Sequence, residues 1–173
     1  MAQDANKSTF RQWLTDYGGI MLRIARSFAS RPEDQDELFQ EIALRLWSSV
    51  PSFRGEAQAS TWVYRVSLNT ALTWQRTERR RRRRHGPLLA PDEMEAPQGD
   101  GSEKAVRQGM LGRICQQVRL RPPVDRALMV LHLDGMSYRE IAGVLGLSES
   151  NAGAKLSRIR KRLAEAVKGE HDG

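Results

Sequence analysis

The stretch that decides the fold is STWVYRVSLNTALTWQRTERRRRRR, residues 60–84. It begins with Ser60 or Thr61, residue types that cap helix N-termini, and contains neither Gly nor Pro until His85-Gly86-Pro87 ends it. The pattern predicts one long helix. Because no stretch of the chain shows the alternation of a strand, we expect an all-α protein.

The same helix carries chemistry suited to opened or single-stranded nucleic acid. Aromatic rings stack on bases, and arginines bind phosphates. The alternative is a core helix with a solvated charged tail, which is favoured for the rings alone because aromatic side chains are usually buried. The arginine run favours a polyanion, because adjacent like charges repel one another. The residues concerned are Trp62, Tyr64, Asn69, Trp74, Arg76 and Arg79 to Arg84.

Composition bounds the class of protein. The 173 residues are 39% hydrophobic and 28% charged, which fits a folded chain of one domain or two small ones. A net charge of +7 favours a polyanionic partner, although a membrane surface would fit as well. No signal peptide and no apolar run long enough to span a bilayer are visible, so we expect a cytoplasmic protein without membrane insertion.

The residues that bind metals or form disulfides are sparse. Cys115 is the single cysteine, which excludes an internal disulfide, and its apolar neighbours indicate a core position. His85, His132 and His171 are far apart and have no companion cysteines. We therefore predict no metal and no cofactor.

Two further helices precede the opening stretch. Apolar positions from Phe10 to Phe28 follow helical spacing, and residues 1–7 are expected to fray. A second helix should run from Glu33 to about Val50 with a buried stripe at Leu38, Ile42, Leu46 and Val50. Its first turns are acidic, which the helix dipole favours. A docking surface for a basic protein partner explains the patch at Glu37, Gln40 and Glu41 equally well.

After Pro87 the sequence changes character. Residues 88–103 are rich in Pro, Gly and acidic residues without periodicity, which predicts a flexible acidic linker. A second helical unit follows, with one helix over residues 106–118 and another over 124–131 that Gly135 ends. The expected division is a first domain at 1–86, a linker at 87–104 and a second domain at 105–173.

The second domain ends in MSYREIAGVLGLSESNAGAKLSRIRKRL, residues 136–163. Ser137 and Glu140 match a capping box that opens a short helix. Gly146-Leu147-Ser148 predicts a tight turn, after which Ser148 caps a helix rich in Lys and Arg. Two short helices about a glycine turn predict a helix-turn-helix with a basic reading helix.

Taken together, these motifs resemble a bacterial RNA polymerase sigma factor of the extracytoplasmic-function (ECF) type over nearly the whole chain. DQDELFQEIALRLW resembles the segment that docks on the polymerase clamp helices. PSFRGEAQAST followed by TWVYRVSLNTA resembles the segment that melts the promoter and reads the −10 element. LRPPVDRALMVLHLDGMSYREIAGVLGLS resembles the domain that reads the −35 element.

The resemblance implies roles for individual residues. Glu37, Leu38, Gln40 and Glu41 are assigned to polymerase docking. The loop from Phe53 to Ser60 would hold an extruded base, which offsets a few kcal/mol of lost stacking. The implied −10 set is Phe53, Arg54, Gly55, Trp62, Asn69, Arg76, Arg79 and Arg80, and the implied −35 set is Arg139, Ser150, Asn151, Lys155 and Arg158.

The reading helix departs from the family at one point. Asn151-Ala152-Gly153-Ala154-Lys155 stands where relatives often carry Thr-Val-Lys-Ser-Arg. Small residues at 153 and 154 would let the helix approach the groove closely. Recognition would then depend more than usual on the shape of the DNA.

The resemblance implies an alternative sigma factor that is not an enzyme. Its partners would be core polymerase (clamp helices and flap), promoter DNA and an anti-sigma factor. The rival hypotheses are a stand-alone helix-turn-helix transcriptional regulator and an RNA-binding or RNA-modifying protein. A regulator of that kind normally dimerises, and the sequence shows no heptad.

Overall fold

The computed structural model describes residues 2–85, 118 and 120–169, and these residues form helices and connections without a strand. The first group is α1 (Ala2–Phe28), α2 (Pro32–Ser49), a 3-10 turn (Val50–Ser52) and α3 (Ala59–His85). The second group is α4 (Pro123–Leu133), α5 (Tyr138–Leu145) and α6 (Glu149–Gly169). The all-α prediction is confirmed. No helix in these ranges is both long and apolar enough to cross a bilayer.

Several predicted features lie outside the described residues. They are the acidic linker, Cys115, the predicted helix over 106–118 apart from Val118, and the side chains of Arg79 and of residues 82–85.

The first group encloses an apolar core beneath a polar surface. Pro32 occupies the first turn of α2, as predicted, because its missing N–H has no partner there in any case. α3 begins at Ala59, so Ser60 and Thr61 lie in its first turn and the predicted cap is wrong. α1 begins at Ala2 and so includes residues 2–7, for which the sequence predicted fraying. The fully buried side chains include Met21, Ile24, Leu38, Ile42, Leu46 and Val63.

The second group contains the predicted helix-turn-helix. The Ser137 hydroxyl accepts a hydrogen bond from the Glu140 N–H, and the Glu140 carboxylate accepts one from the Ser137 N–H, so the capping box is confirmed. Gly146 has a φ of 68°, in the left-handed region that glycine enters without steric cost. The Ser148 hydroxyl then accepts a hydrogen bond from the Asn151 N–H at 3.2 Å, which caps α6. Ile141 and Leu156 are fully buried between α5 and α6.

The two groups pack against each other, which the sequence does not predict. Arg126 in α4 is only 4% exposed, and its guanidinium lies over the Phe28 ring with its carbon 5.2 Å from the ring centroid. Its Nη1 donates to the Ser27 carbonyl oxygen at 3.3 Å, near the end of α1. A buried guanidinium stays charged, so burying it is costly unless carbonyl or carboxylate oxygens accept its hydrogen bonds. Arg126 therefore ties the second group to the first.

Candidate protein and nucleic-acid interfaces

The outer face of α2 presents the predicted acidic patch. Glu37 and Gln40 are exposed, and Glu41 is half-buried with an oxygen 3.1 Å from the Arg45 Nε. Leu38 is fully buried in the core, where apolar contacts hold it. This burial corrects the predicted docking set, because a side chain under the helix cannot touch a partner on its outer face.

Leu44 belongs to the same outer face and was missed by the sequence interpretation. It is 62% exposed, and it follows Glu37 by two helical turns and Gln40 by one. The sequence could have indicated this exposure, because Leu44 does not share the helical spacing of the buried residues Leu38, Ile42 and Leu46. Its side chain adds an apolar contact area to the polar outer face of α2.

The loop before α3 is held by aromatic rings. The rings of Phe53 and Trp13 meet edge to face with centroids 5.1 Å apart, and those of Phe53 and Trp62 lie 5.7 Å apart. Trp62 Nε1 donates to the Ser49 hydroxyl at 3.0 Å, which fixes the indole against the end of α2. Arg54 is exposed, and the neighbouring Gly55 is exposed with a φ of 73°. The rings thus support the loop, and the polar tip faces outward.

One exposed face of α3 carries the predicted −10 polar residues. Asn69, Arg76 and Arg80 are exposed and recur at helical spacing, so the structure brings them onto one stripe. The backbone of Arg79 lies in α3, and its side chain is not among those described. Arg65 precedes Asn69 by one turn on the same stripe and was missed, although its spacing could have revealed it.

Tyr64 and Trp74 of α3 pack into the core, as the alternative interpretation predicted, and are not exposed for stacking on bases. Tyr64 is 7% exposed, and Trp74 is partly buried against the core. The Tyr64 hydroxyl donates to Asp134 Oδ2 at 2.7 Å, and Arg23 Nε lies 2.8 Å from Asp134 Oδ1. Burial, followed by the hydrogen bond to Asp134, raises the pKa of Tyr64 to about 12. Burial acts to lower the pKa of Arg23, but the hydrogen bond and charge of Asp134 outweigh it and raise that pKa.

The helix-turn-helix presents its predicted −35 residues on α5 and α6. Arg139 is exposed at the start of α5. On α6, Ser150, Asn151 and Arg158 are exposed and Lys155 is half-buried. Positions 151, 155 and 158 share one face at helical spacing, and the Arg158 Nε donates to the Ala154 carbonyl oxygen at 3.2 Å. This face offers amide, ammonium and guanidinium donors, which are the groups that bind base edges and phosphates in the major groove.

Comparison with known proteins finds two family matches, one in each helical group. Residues 13–81 match the family model of Sigma-70 region 2, and residues 122–163 match that of Sigma-70, region 4. The chain is 30% identical over 147 residues to the ECF RNA polymerase sigma factor SigM of Mycobacterium tuberculosis, covering 84% of this chain and 70% of that protein. It is 26% identical over 173 residues to the ECF RNA polymerase sigma-E factor of Haemophilus influenzae, covering 95% and 90%.

Solved structures share the fold. The sigma factor RpoE, crystallised in complex with the anti-sigma factor NepR from Bartonella quintana, superposes with a TM-score of 0.73 at 19% identity, covering 92% of this chain and 97% of that one. CnrH, in complex with the cytosolic domain of CnrY, superposes with a TM-score of 0.67 at 22% identity, covering 94% and 90%.

Proposed function

The chain belongs to the extracytoplasmic-function sigma factors of bacterial RNA polymerase, and from this premise we propose how its surfaces divide the work of initiation. As an alternative sigma factor it directs transcription with core RNA polymerase at promoter DNA. The observation that carries the division of labour is the pair of exposed polar stripes, one on α3 and one on α6, in separate helical groups.

The outer face of α2 docks on core polymerase in this proposal. Glu37, Gln40 and Glu41 supply negative and polar groups in a chain whose net charge is +7, so a basic partner surface suits them. Leu38 contributes indirectly, because its packing in the core holds in place the helix that carries these polar residues. The partner surfaces on the polymerase are the clamp helices for this face and the flap for the second domain.

The loop and the stripe of α3 bind the melted −10 strand. Phe53 and Trp62 hold the loop in shape, and Arg54 and Gly55 lie at its exposed tip. Asn69 contacts a base, and Arg76, Arg79 and Arg80 bind backbone phosphates. A base that leaves the stack gains a protein pocket, which lowers the cost of opening the duplex.

The exposed face of α6 reads the −35 element in the major groove. Ser150, Asn151, Lys155 and Arg158 contact bases or phosphates, and Arg139 reaches the backbone from α5. Two modules that each bind weakly gain from being joined, because the second binding event is then intramolecular.

The remaining parts of the proposal concern organisation. We assign residues 1–86 to region 2, 87–104 to a linker and 105–173 to region 4. Promoter DNA and polymerase occur in the bacterial cytoplasm, and the protein acts there. Since RpoE and CnrH were solved in complexes with NepR and CnrY, we also propose an anti-sigma partner for this chain.

The rival functions explain less of the chain. A stand-alone helix-turn-helix regulator accounts for residues 122–163 but leaves the region 2 match over 13–81 without a role. The family is not known to be enzymatic, so we assign the chain no reaction.

Run-off transcription tests the proposal. Purified core polymerase lacking its own sigma factor is incubated with a promoter library, with and without this protein. We expect transcripts from a defined promoter subset only when the chain is present. Absence of both transcripts and core binding would refute the function.

A further inference from the structure

Asp134 connects the two helical groups through both of its carboxylate oxygens. It follows the last residue of α4, where the negative end of the helix dipole disfavours an anion. Its side chain is 12% exposed, and its hydrogen-bond donors, Arg23 and Tyr64, come from α1 and α3. The charge of Asp134 is therefore compensated across the groups, by Arg23.

Arg65 makes a second link one residue further along α3. Its Nη2 donates to the Gly143 carbonyl oxygen at 2.9 Å. Gly143 lies in the last turn of α5, where carbonyl groups have no partner within the helix. Arg65 therefore satisfies an acceptor of the helix-turn-helix, although it stands on the same stripe as Asn69 and Arg76.

We propose that Arg65 is a further phosphate contact for the opened DNA strand, that the Gly143 carbonyl occupies it in the closed protein, and that the contacts of Asp134 with Arg23 and Tyr64 hold the protein closed. The inference rests on the proposed function in one respect, namely that the α3 stripe faces DNA. DNA that follows the whole stripe must displace the second group from Arg65.

The closed arrangement cannot read both promoter elements at once. The −10 and −35 elements lie about 25 base pairs apart, or roughly 85 Å along B-DNA at about 3.4 Å per base pair. In the structure, α3 and α5 touch through Arg65 and Gly143. Promoter binding therefore requires the same contacts to open that expose Arg65.

Asp134→Asn tests the inference in the full chain without polymerase. The probe is a fluorescein-labelled single-stranded DNA of 20 random nucleotides, with binding followed by anisotropy and opening followed by the radius of gyration from X-ray scattering. If the site is closed for about nine-tenths of the time, releasing it tightens the apparent Kd about tenfold. We expect Asp134→Asn to enlarge the protein and to tighten binding in this way. Tyr64→Phe, which removes one donor and keeps the ring, should act in the same direction and more weakly.

Arg65→Ala separates a DNA contact from mere opening. In the Asp134→Asn background it should weaken binding and reduce the salt slope by about 0.7, the value for one phosphate on single-stranded DNA. In the wild-type background its effect on binding should be smaller, because the Gly143 carbonyl holds Arg65 in most molecules. Arg45→Ala is the matched control, an exposed arginine on α2 away from the stripe.

Each outcome decides the question. Opening without tighter binding, no opening in either Asp134→Asn or Tyr64→Phe, or equal effects of Arg65→Ala and Arg45→Ala would each overturn the inference. Circular dichroism of every variant confirms folding. If the protein supports run-off transcription but fails these tests, only this inference is refuted. If it passes them but does not bind core polymerase, the proposed function is refuted.

Discussion

The ring of Tyr138 lies directly against Gly153, so that a Cβ atom added at Gly153 would stand 3.3 Å from the Tyr138 Cδ2. Tyr138 opens α5 and Gly153 lies in the second turn of α6, so this contact helps to set the distance between the two helices of the helix-turn-helix. The small residue at 153 thus has a packing role within the domain. Of the two small residues expected to let α6 approach the DNA groove closely, only Ala154 is exposed.

Gly153→Ala should stabilise the second domain slightly. Alanine gains up to about 1 kcal/mol of helix propensity over glycine, and part of this gain is lost in moving the Tyr138 ring, which is 36% exposed and able to shift. Urea unfolding measures the change in the free energy of unfolding. The same substitution in a Tyr138→Ala background should recover the full gain. Equal effects in both backgrounds would show that the contact is energetically neutral.

The triple substitution Glu37→Ala, Gln40→Ala and Glu41→Ala should weaken binding to core polymerase by at least about tenfold, as expected for loss of a docking surface. The fold should persist, because none of the three side chains is buried in the core. Surface plasmon resonance with immobilised core enzyme measures the affinity. Asp16→Ala with Glu165→Ala removes the same number of carboxylates from exposed positions elsewhere. A similar loss in this control would indicate a general charge effect.

Leu44→Ser tests the apolar part of the same face. Leu44 is 62% exposed and contributes little to the core, so stability should hardly change. Burying a leucine side chain at an interface contributes about 1.5–3 kcal/mol, and we expect core binding to weaken by about tenfold or more. Leu22→Ser, at an exposed leucine on α1 outside both proposed polymerase-binding surfaces, is the control. Unchanged core affinity in Leu44→Ser would confine docking to the polar residues.

Arg76→Ala with Arg80→Ala should weaken binding to single-stranded DNA of every sequence tested. Each lost phosphate contact lowers the slope of log K against log salt by about 0.7 on single strands. Titrations at several salt concentrations give this slope. Arg11→Ala with Arg45→Ala makes the same change in net charge on α1 and α2. A loss confined to one DNA sequence would contradict a phosphate role.

Asn151→Ala should alter preference at the −35 element and leave core binding unchanged. Asn151 is exposed on the first turn of α6, and a bidentate base contact discriminates by about 1–3 kcal/mol. Selection from a randomised −35 library followed by sequencing measures the preference. Ala164→Ser, exposed further along α6, is the control. An identical profile for Asn151→Ala and the control would remove Asn151 from the reading set.

Acid should weaken the capping box of α5. The hydrogen bonds from the Ser137 hydroxyl and N–H lower the pKa of Glu140 below its ordinary value of 4.5. A lowered carboxyl pKa means that the stabilisation is complete above pH 4.5 and is lost as the pH falls through the folded-state value. The stability difference between the wild type and Glu140→Gln, followed by urea unfolding, should therefore shrink below pH 4.5. A difference that is constant across this range would contradict the assignment.

The sequence by itself determined the local structure. The capping box at Ser137 and Glu140, the turn at Gly146 and the start of α2 at Pro32 depend on contacts within a few residues, and such contacts are written in residue order. The periodic apolar stripes fixed the helices and most of their buried faces. Residues outside these stripes were thereby predicted to lie on the exposed faces of α2, α3 and α6, and they include the polar residues of the candidate interfaces.

Only the tertiary structure decided which polar residues are engaged. Tyr64 and Arg65 are neighbours on α3, yet they bind Asp134 and Gly143 far along the chain. Arg126 is charged yet only 4% exposed, because α4 packs against the end of α1. Contacts between residues distant in sequence depend on how whole helices pack, and no local pattern of one chain specifies that packing.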